Sequence, residues 1–382
     1  MISIKGIKKI LKNNYNVIGS IDRLEGEIDL NFKIQSSDNK KYLLKISRSN
    51  FNLDYIDYQI KILDHLNRGC SFNLSSNIKT VKGKYFCIEN YSQGDDRCIR
   101  LLSWVSGRLW SSVNPIKKEL RVELGSKTAI LSQSLQKFKH PYSDRKIDWD
   151  VSNSLWIEEH LKNFDINKRA ILENFIEDFK NNLSMCNHLK KSVIHNDIND
   201  NNIIVSNDSI NPKIKSIIDF GDSVYSWRIN DLAIACSYGI MNLNDPLAGC
   251  CEIISGYNKL ININDNELSL LYNLIGMRLA ISVTKSLINR DKEPDNKYLL
   301  ISEKPAWLLL KSWSTVNSEY AYYSFRKACN LDAHPNRKKF SKWVRSKKFF
   351  VKDLFPKLQK DKFYKIDLSV GSEWIGGRNE IE

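Results

Sequence analysis

The stretch Val193-Ile194-His195-Asn196-Asp197-Ile198-Asn199-Asp200-Asn201-Asn202 decides how this chain is read. A short apolar run, Ser192–Ile194, leads into His-x-Asp-x-x-x-x-Asn, and a second, Asn202–Val205, leaves it. Phosphoryl transfer needs a carboxylate to take the proton of an attacking hydroxyl and an amide oxygen nearby to hold a divalent cation. Asp197 and Asn202 can supply both from one loop. In a chain this rich in Asn the spacing alone is a weak signal. Asp219, 22 residues beyond Asp197, strengthens it: the run Ile214–Phe220 carries Asp-Phe-Gly at its end. By itself Asp-Phe-Gly reads as a turn. In this order, the two apolar runs are expected to pair as a hairpin that sets Asn202 and Asp219 side by side as ligands of one metal ion.

Upstream, Leu30–Ile34 alternates with period two, Ser36–Lys40 is a turn, and Tyr42–Ile46 is a second strand interrupted by one charge, Lys45. Alone, Lys45 reads as a solvent-facing residue of an amphipathic strand. Ahead of Asp197, Asn202 and Asp219, it takes the place of a lysine that holds nucleotide phosphates. Residues 14–47 are expected as strands, 52–66 as a helix ending before Gly69, and Lys84–Glu89 and Cys98–Val105 as further strands. From Asn114 the apolar period changes, and 116–138, 153–189 and 265–290 are expected to be helical. The organisation is therefore α+β and bilobal, a small N-terminal β lobe (1–102) followed by a larger, mainly helical lobe (103–335). A basic C-terminal extension (336–382) completes it.

Charge and composition narrow the class. Of a net charge of +14, +10 falls between Asn336 and Lys365, interleaved with Phe340, Trp343, Phe349, Phe350 and Phe355. Phe340, Trp343, Lys347, Phe350 and Leu354 follow a period of three to four residues, which favours an amphipathic tail docked on the body over an RNA or anionic-membrane patch. The remainder is mildly basic, so nucleic acid is not expected as the main partner. No uncharged apolar run of about 18 residues is present to span a membrane, and Met1–Lys5 starts no signal-peptide core. Eight dispersed Cys with no C-x-x-C, and six His with no H-E-x-x-H, exclude a zinc site and a disulfide framework. The expected setting is cytoplasmic.

These residues resemble the aminoglycoside phosphotransferase/choline kinase-type family of small-molecule kinases, and within it the hydroxylysine kinase branch. The resemblance rests on Leu24–Phe32, Tyr42–Ile46, Arg100–Gly107, His195–Asn202, Ile217–Asp222 and Asn230–Ala235 with Tyr238. It implies a protein-kinase-like fold and transfer of the γ-phosphate of ATP or GTP, with Mg2+, to a hydroxyl of a small amine-bearing molecule. By position, Asp197 is the catalytic base, Asn202 and Asp219 ligate Mg2+, and Lys45 holds the phosphates. The backbone of Ser103, Trp104 and Val105 reads the nucleotide base, and Asp231 braces the catalytic loop. Such modules also occur fused to an aminotransferase-like module, and Asp367–Ser372 resembles that junction, which leaves open a free-standing relative or an excised module. One departure stands out: the helical partner of Lys45, usually Glu, aligns with Gln59, with Asp57 and Asp64 nearby.

For the acceptor, Asp200 and Asp222 add negative charge near Asp197 that would attract an ammonium group, with Glu158-Glu159 expected above it. Arg278 interrupts an apolar helix and would clamp a substrate carboxylate, unless it pairs internally with an acid. Trp104, Trp149, Trp227 and Trp307 are either cation–π walls or core. The competing readings are a catalytically weak kinase-fold scaffold, supported by Gln59 and the basic tail, and a homoserine, choline or aminoglycoside kinase. A protein kinase is disfavoured by the missing Arg after His195 and the absence of A-P-E.

Overall fold

The protein is described by a computed structural model over residues 3–26, 29–91, 94–292 and 303–346. The small lobe begins with a helix, α1 (Ile4–Tyr15), which Ser3 caps by accepting the N–H of Gly6 at 3.1 Å. Asn16 closes it in the left-handed region at φ 53°. Strands β1 (Gly19–Leu24), β2 (Leu30–Ser36) and β3 (Lys41–Ile46) follow as an antiparallel meander. Next come α2 (Leu53–Gly69), β4 (Asn77–Ile78), β5 (Cys87–Asn90) and β6 (Asp96–Ser103). The sheet runs β1-β2-β3-β6-β4, with β5 also paired to β6.

Strand alternation gives this sheet two different faces. Phe32, Ile34, Leu44, Ile46, Ile99 and Leu101 bury against Ile7, Ile10 and Leu11 of α1, each side chain contributing about 1.5–3 kcal/mol of hydrophobic stabilisation. On the other face, Asn31 pairs in register with Lys45, and Lys45 with Arg100. The sheet thereby lines up a polar row next to the helical lobe. The expectation that residues 14–47 are all extended is corrected at its start: Asn14 and Tyr15 end α1, whose apolar residues recur at helical spacing.

The large lobe opens with β7 (Arg108–Leu109) and α3 (Lys118–Leu135), and continues through α4 (Ile166–Asn181) and α5 (Leu183–Cys186). Between α3 and α4, Val151–Asn163 forms a 3-10 helix in which Asp150 accepts the N–H of Ser152 at 3.0 Å. This corrects the expected regular helix from 153. Short strands β8 (Lys191–Ile194), β9 (Ile203–Val205), β10 (Ile214–Ile217) and β11 (Val224–Trp227) then fold as two antiparallel sheets, β10-β9-β7 and β11-β8. The helices α6 (Ile229–Gly239), α7 (Pro246–Asn258), α8 (Asp265–Lys292), α9 (Glu303–Trp313) and α10 (Ser318–Ala328) surround one continuous core. A Cβ on Gly256 would meet the Val122 carbonyl at 1.9 Å, so α3 and α7 pack backbone to backbone.

The architecture is a bilobal protein-kinase-like α+β fold. Among the described residues no helix is long and apolar enough to cross a membrane. Of the basic extension, α11 (Arg337–Ser346) is described. The expected docking of Phe349, Phe350 and Phe355, and the junction-like Asp367–Ser372, lie outside the described residues.

Candidate active site

The His195–Asn202 loop connects β8 to β9 and is held from beneath by α6. Asp231, fully buried, accepts the N–H of His195 at 3.0 Å and of Asn196 at 2.8 Å, bracing the loop as its position implied. Asn196 turns through the left-handed region at φ 66°. His195 packs its ring 4.7 Å from Phe220 and lies 3.1 Å from the Ile218 carbonyl through Nε2. Its Nδ1 accepts the N–H of Asp197 at 3.2 Å. The imidazole thus ties the Asp197 turn to the Asp219 turn.

Three side chains donate to the Asp197 carboxylate. Asn199 Nδ2 reaches both oxygens, at 3.0 and 2.9 Å. Asn202 Nδ2 reaches Oδ2 at 2.7 Å and the Asp197 carbonyl at 2.9 Å. Arg278, from α8, reaches Oδ1 at 2.7 Å. Asn199 also accepts the N–H groups of Asn201 and Asn202, at 2.8 and 3.0 Å, so it sets the shape of the whole loop. Sequence reasoning missed Asn199; the signal was an Asx residue two and three places before two further Asn.

Asp219 follows β10 at φ 64°. The hairpin expectation holds: β9 and β10 pair antiparallel, and the Ile218 N–H donates to the Asn202 carbonyl at 2.8 Å, so the Asn202 and Asp219 turns are adjacent. The Asp219 side chain is 48% exposed and stands 3.5 Å from Lys45 Nζ. The Lys45 ammonium holds its carboxyl below the usual carboxylate range, with the Gly221 N–H adding to the effect.

Lys45 has a second acidic neighbour, Asp29, at 3.8 Å, and Asp29 also meets Arg100 at 3.4 Å. Gln59, expected beside Lys45, is buried in α2, and among the described residues the charged partners of Lys45 are these two acids. Asp57 does not replace it, since it pairs with Lys61 at 2.7 Å and His140 at 3.1 Å. Asp64 accepts from Asn77 at 2.9 Å. The acid that meets the lysine comes from the base of the β1–β2 connection, because cross-strand register, not helix position, brings it there.

Arg278 is also corrected. Its two terminal nitrogens are engaged by Asp197 and by the Trp149 carbonyl at 2.8 Å, and its guanidinium is stacked 4.7 Å from Trp149 and 5.5 Å from Tyr238. It is turned inward onto Asp197, as the internal-pairing alternative had it. Burial pushes the Asp200 carboxyl up to about 6, and the charge of Asp197 adds to this. The charge of Asp222 is felt by both Tyr55 and Arg278. Glu158 is occupied by Lys180 at 2.6 Å. Among the four tryptophans only Trp149 touches this set; Trp227 packs on Phe179, Trp307 on Phe164, and Trp104 lies under Lys33.

Ser103, Trp104 and Val105 sit at the lobe junction. Ser103 exchanges two hydrogen bonds with Ser76, its N–H donating at 2.9 Å and its Oγ accepting at 2.8 Å, and the Trp104 N–H donates to Lys41 at 3.2 Å. Among the described residues no group of three or more His, Cys, Asp or Glu could hold a metal alone. The donor set of Asn202 and Asp219 fits Mg2+, a hard cation commonly held by one or two protein oxygens together with substrate phosphates and water. With Asn202 Nδ2 committed to Asp197, its Oδ1 is the atom left to face such an ion.

A two-lobed fold with an aspartate loop and an Asp-Phe-Gly turn facing a strand lysine defines a kinase-type phosphotransferase. Residues 21–249 match the family described as APH, phosphotransferase enzyme family, and the chain belongs to that family. Hydroxylysine kinase of Mus musculus is 26% identical over 315 residues, covering 76% of this chain and 83% of the relative. That of Xenopus laevis is 25% identical over 341 residues, covering 81% and 89%. Among solved structures, a microcompartment-associated aminopropanol kinase aligns with a TM-score of 0.62 at 15% identity, covering 87% of this chain and 100% of that one. An amicoumacin kinase in complex with AMP-PNP and Ca2+ aligns with a TM-score of 0.61 at 14% identity, covering 87% and 95%. The chain is a small-molecule kinase, a phosphotransferase that acts on a hydroxyl group.

Proposed function

We propose that the chain transfers the γ-phosphoryl group of ATP or GTP to the hydroxyl of a small amine-bearing acceptor, hydroxylysine or a related amino alcohol. The observation that carries this reading is the Asp197 carboxylate, fixed by Asn199, Asn202 and Arg278 beside the Asp219 turn. Asp197 accepts the proton of the attacking hydroxyl and orients its oxygen. Asn202 through Oδ1 and Asp219 through its carboxylate would hold Mg2+, which when bound offsets the charge of the β- and γ-phosphates. Lys45, poised between Asp29 and Asp219, meets the phosphates, and the Ser103–Val105 backbone borders the nucleotide base. Arg278 aligns the base from behind. Asp200 and Asp222 give the acceptor side the negative charge that an ammonium group needs, and the relatives named as hydroxylysine kinases point to the same class of acceptor.

The scaffold alternative loses its argument from Gln59, since Asp29 supplies an acid to Lys45. A screen of hydroxylysine, ethanolamine, choline, homoserine and aminoglycosides, each with ATP and with GTP, tests the proposal through nucleoside diphosphate release. Hydroxylysine or another amino alcohol should give the highest kcat/KM. Turnover confined to uncharged sugars would overturn the amine assignment.

A further inference from the structure

The Asp219 turn is held by a side chain that the phosphoryl-transfer reading leaves unused. Arg145 precedes the 3-10 helix Val151–Asn163. Its guanidinium lies 5.1 Å from the ring of Tyr55, 5.3 Å from Tyr142 and 5.8 Å from Tyr58. Tyr55 and Tyr58 are three residues apart on α2 and share one face of that helix. From this cage the guanidinium donates to the carbonyls of Gly221 and Ser223, and the Tyr55 hydroxyl donates to the same Gly221 carbonyl at 3.2 Å. The Gly221 N–H in turn donates to Asp219 Oδ1 at 3.2 Å. Gly221 is therefore pinned at its carbonyl by the cage while its N–H aims the Asp219 carboxylate. Close packing at Gly221 reinforces the link, since a Cβ there would meet the Tyr55 hydroxyl at 3.0 Å and Asp219 Oδ1 at 3.2 Å.

Asp219 needs such support. At φ 64° it occupies a region that L side chains adopt rarely and keep only where neighbours over-determine it. In this chain the ion pairs of Lys45 do not reach α2, because its acids are Asp29 and Asp219. The tyrosine cage brings α2 into contact with the turn.

We propose that Arg145 is a positioning residue that couples α2 of the small lobe to the Asp219 turn through Gly221, and thereby sets the affinity for Mg2+-bound nucleotide. The inference rests on the reading of Asp219 as the metal-holding carboxylate, and the experiment separates the two. AMP-PNP, or the corresponding GTP analogue if the wild type prefers it, is titrated into the full chain by calorimetry with and without Mg2+. Wild type, Arg145→Met, Arg145→Lys, Tyr55→Phe and Asp219→Asn are compared. Residues that orient a ligand typically cost roughly 10- to 100-fold in metal affinity when removed. Arg145→Met should lose an amount of that order in the presence of Mg2+ and little in its absence. Arg145→Lys should recover part of it, and Tyr55→Phe should show a smaller loss of the same kind. If Asp219→Asn abolishes the Mg2+ effect while Arg145→Met binds like wild type, the inference fails and the metal reading stands. If Asp219→Asn keeps the full Mg2+ effect, both fail. Equal losses with and without Mg2+ in Arg145→Met would reduce Arg145 to a structural role and overturn the coupling. Should Arg145→Met not fold, Tyr55→Phe decides: unchanged Mg2+-dependent binding overturns the proposal.

Discussion

Around Asp197, every side-chain donor lies between 2.7 and 3.0 Å of a carboxylate oxygen, and the loop beneath is anchored by a fully buried aspartate. Around Lys45, the acids stand at 3.5 and 3.8 Å, and one of them is 48% exposed. The first distances are those of directed hydrogen bonds; the second are Coulombic, with little angular demand. On the proposed roles, the base side is thus preorganised, so its geometry would need no rearrangement when the acceptor hydroxyl arrives. The proposed phosphate side holds its charges in a looser set, from which Lys45 would exchange a carboxylate for a phosphate oxygen at small cost.

That contrast can be broken at three places. The largest effect is expected from Asp231→Ala, which leaves the buried N–H groups of His195 and Asn196 without an acceptor. Urea unfolding should show a loss of roughly 3 kcal/mol, since each unsatisfied buried donor costs about 1–3 kcal/mol. Wild-type stability in that variant would mean that the flanking strands, not Asp231, fix the loop. Next comes Asp29→Asn, which removes the acid shared by Lys45 and Arg100. The KM for nucleotide should rise by about tenfold, equivalent to about 1.4 kcal/mol, with kcat changed less. A drop confined to kcat would place Asp29 on the base side instead. The smallest change belongs to Asp222→Asn. It should raise KM for an amine acceptor about threefold, as expected of a partly exposed charge, and the difference should shrink as salt is added. Salt-independence would argue for a direct hydrogen bond rather than attraction at a distance.

The two-lobed fold, the Asp197 loop and the Asp219 turn were legible in the sequence because their residues are close along the chain. His195, Asp197 and Asn202 occupy one loop, and Asp219 follows the second strand of the hairpin that leaves it. What was not legible are contacts between distant segments. Arg278 meets Asp197 across 81 residues, Arg145 meets Gly221 across 76, and Arg100 meets Asp29 across 71. No local periodicity carries that information. Asp29 escaped notice for the same reason, since the neighbours of Gln59 on α2 say nothing about which acid the β1–β2 connection presents to Lys45. The missed α1 is a different case, because Ile4, Ile7, Ile10 and Leu11 display the helical period openly. The 3-10 helix at Val151–Asn163 has no comparable signature, as runs of that length are uncommon.

The claim on which the rest depends is that Asp197 acts on the acceptor hydroxyl while the nucleotide is held elsewhere. Asp197→Ala, with phosphoryl transfer and Mg2+-nucleotide binding measured on the same preparation, tests it directly. Transfer should fall by at least about a hundredfold, the loss expected for a general base, while nucleotide affinity stays near that of wild type. Undiminished transfer, or a loss fully explained by weaker nucleotide binding, would contradict the account.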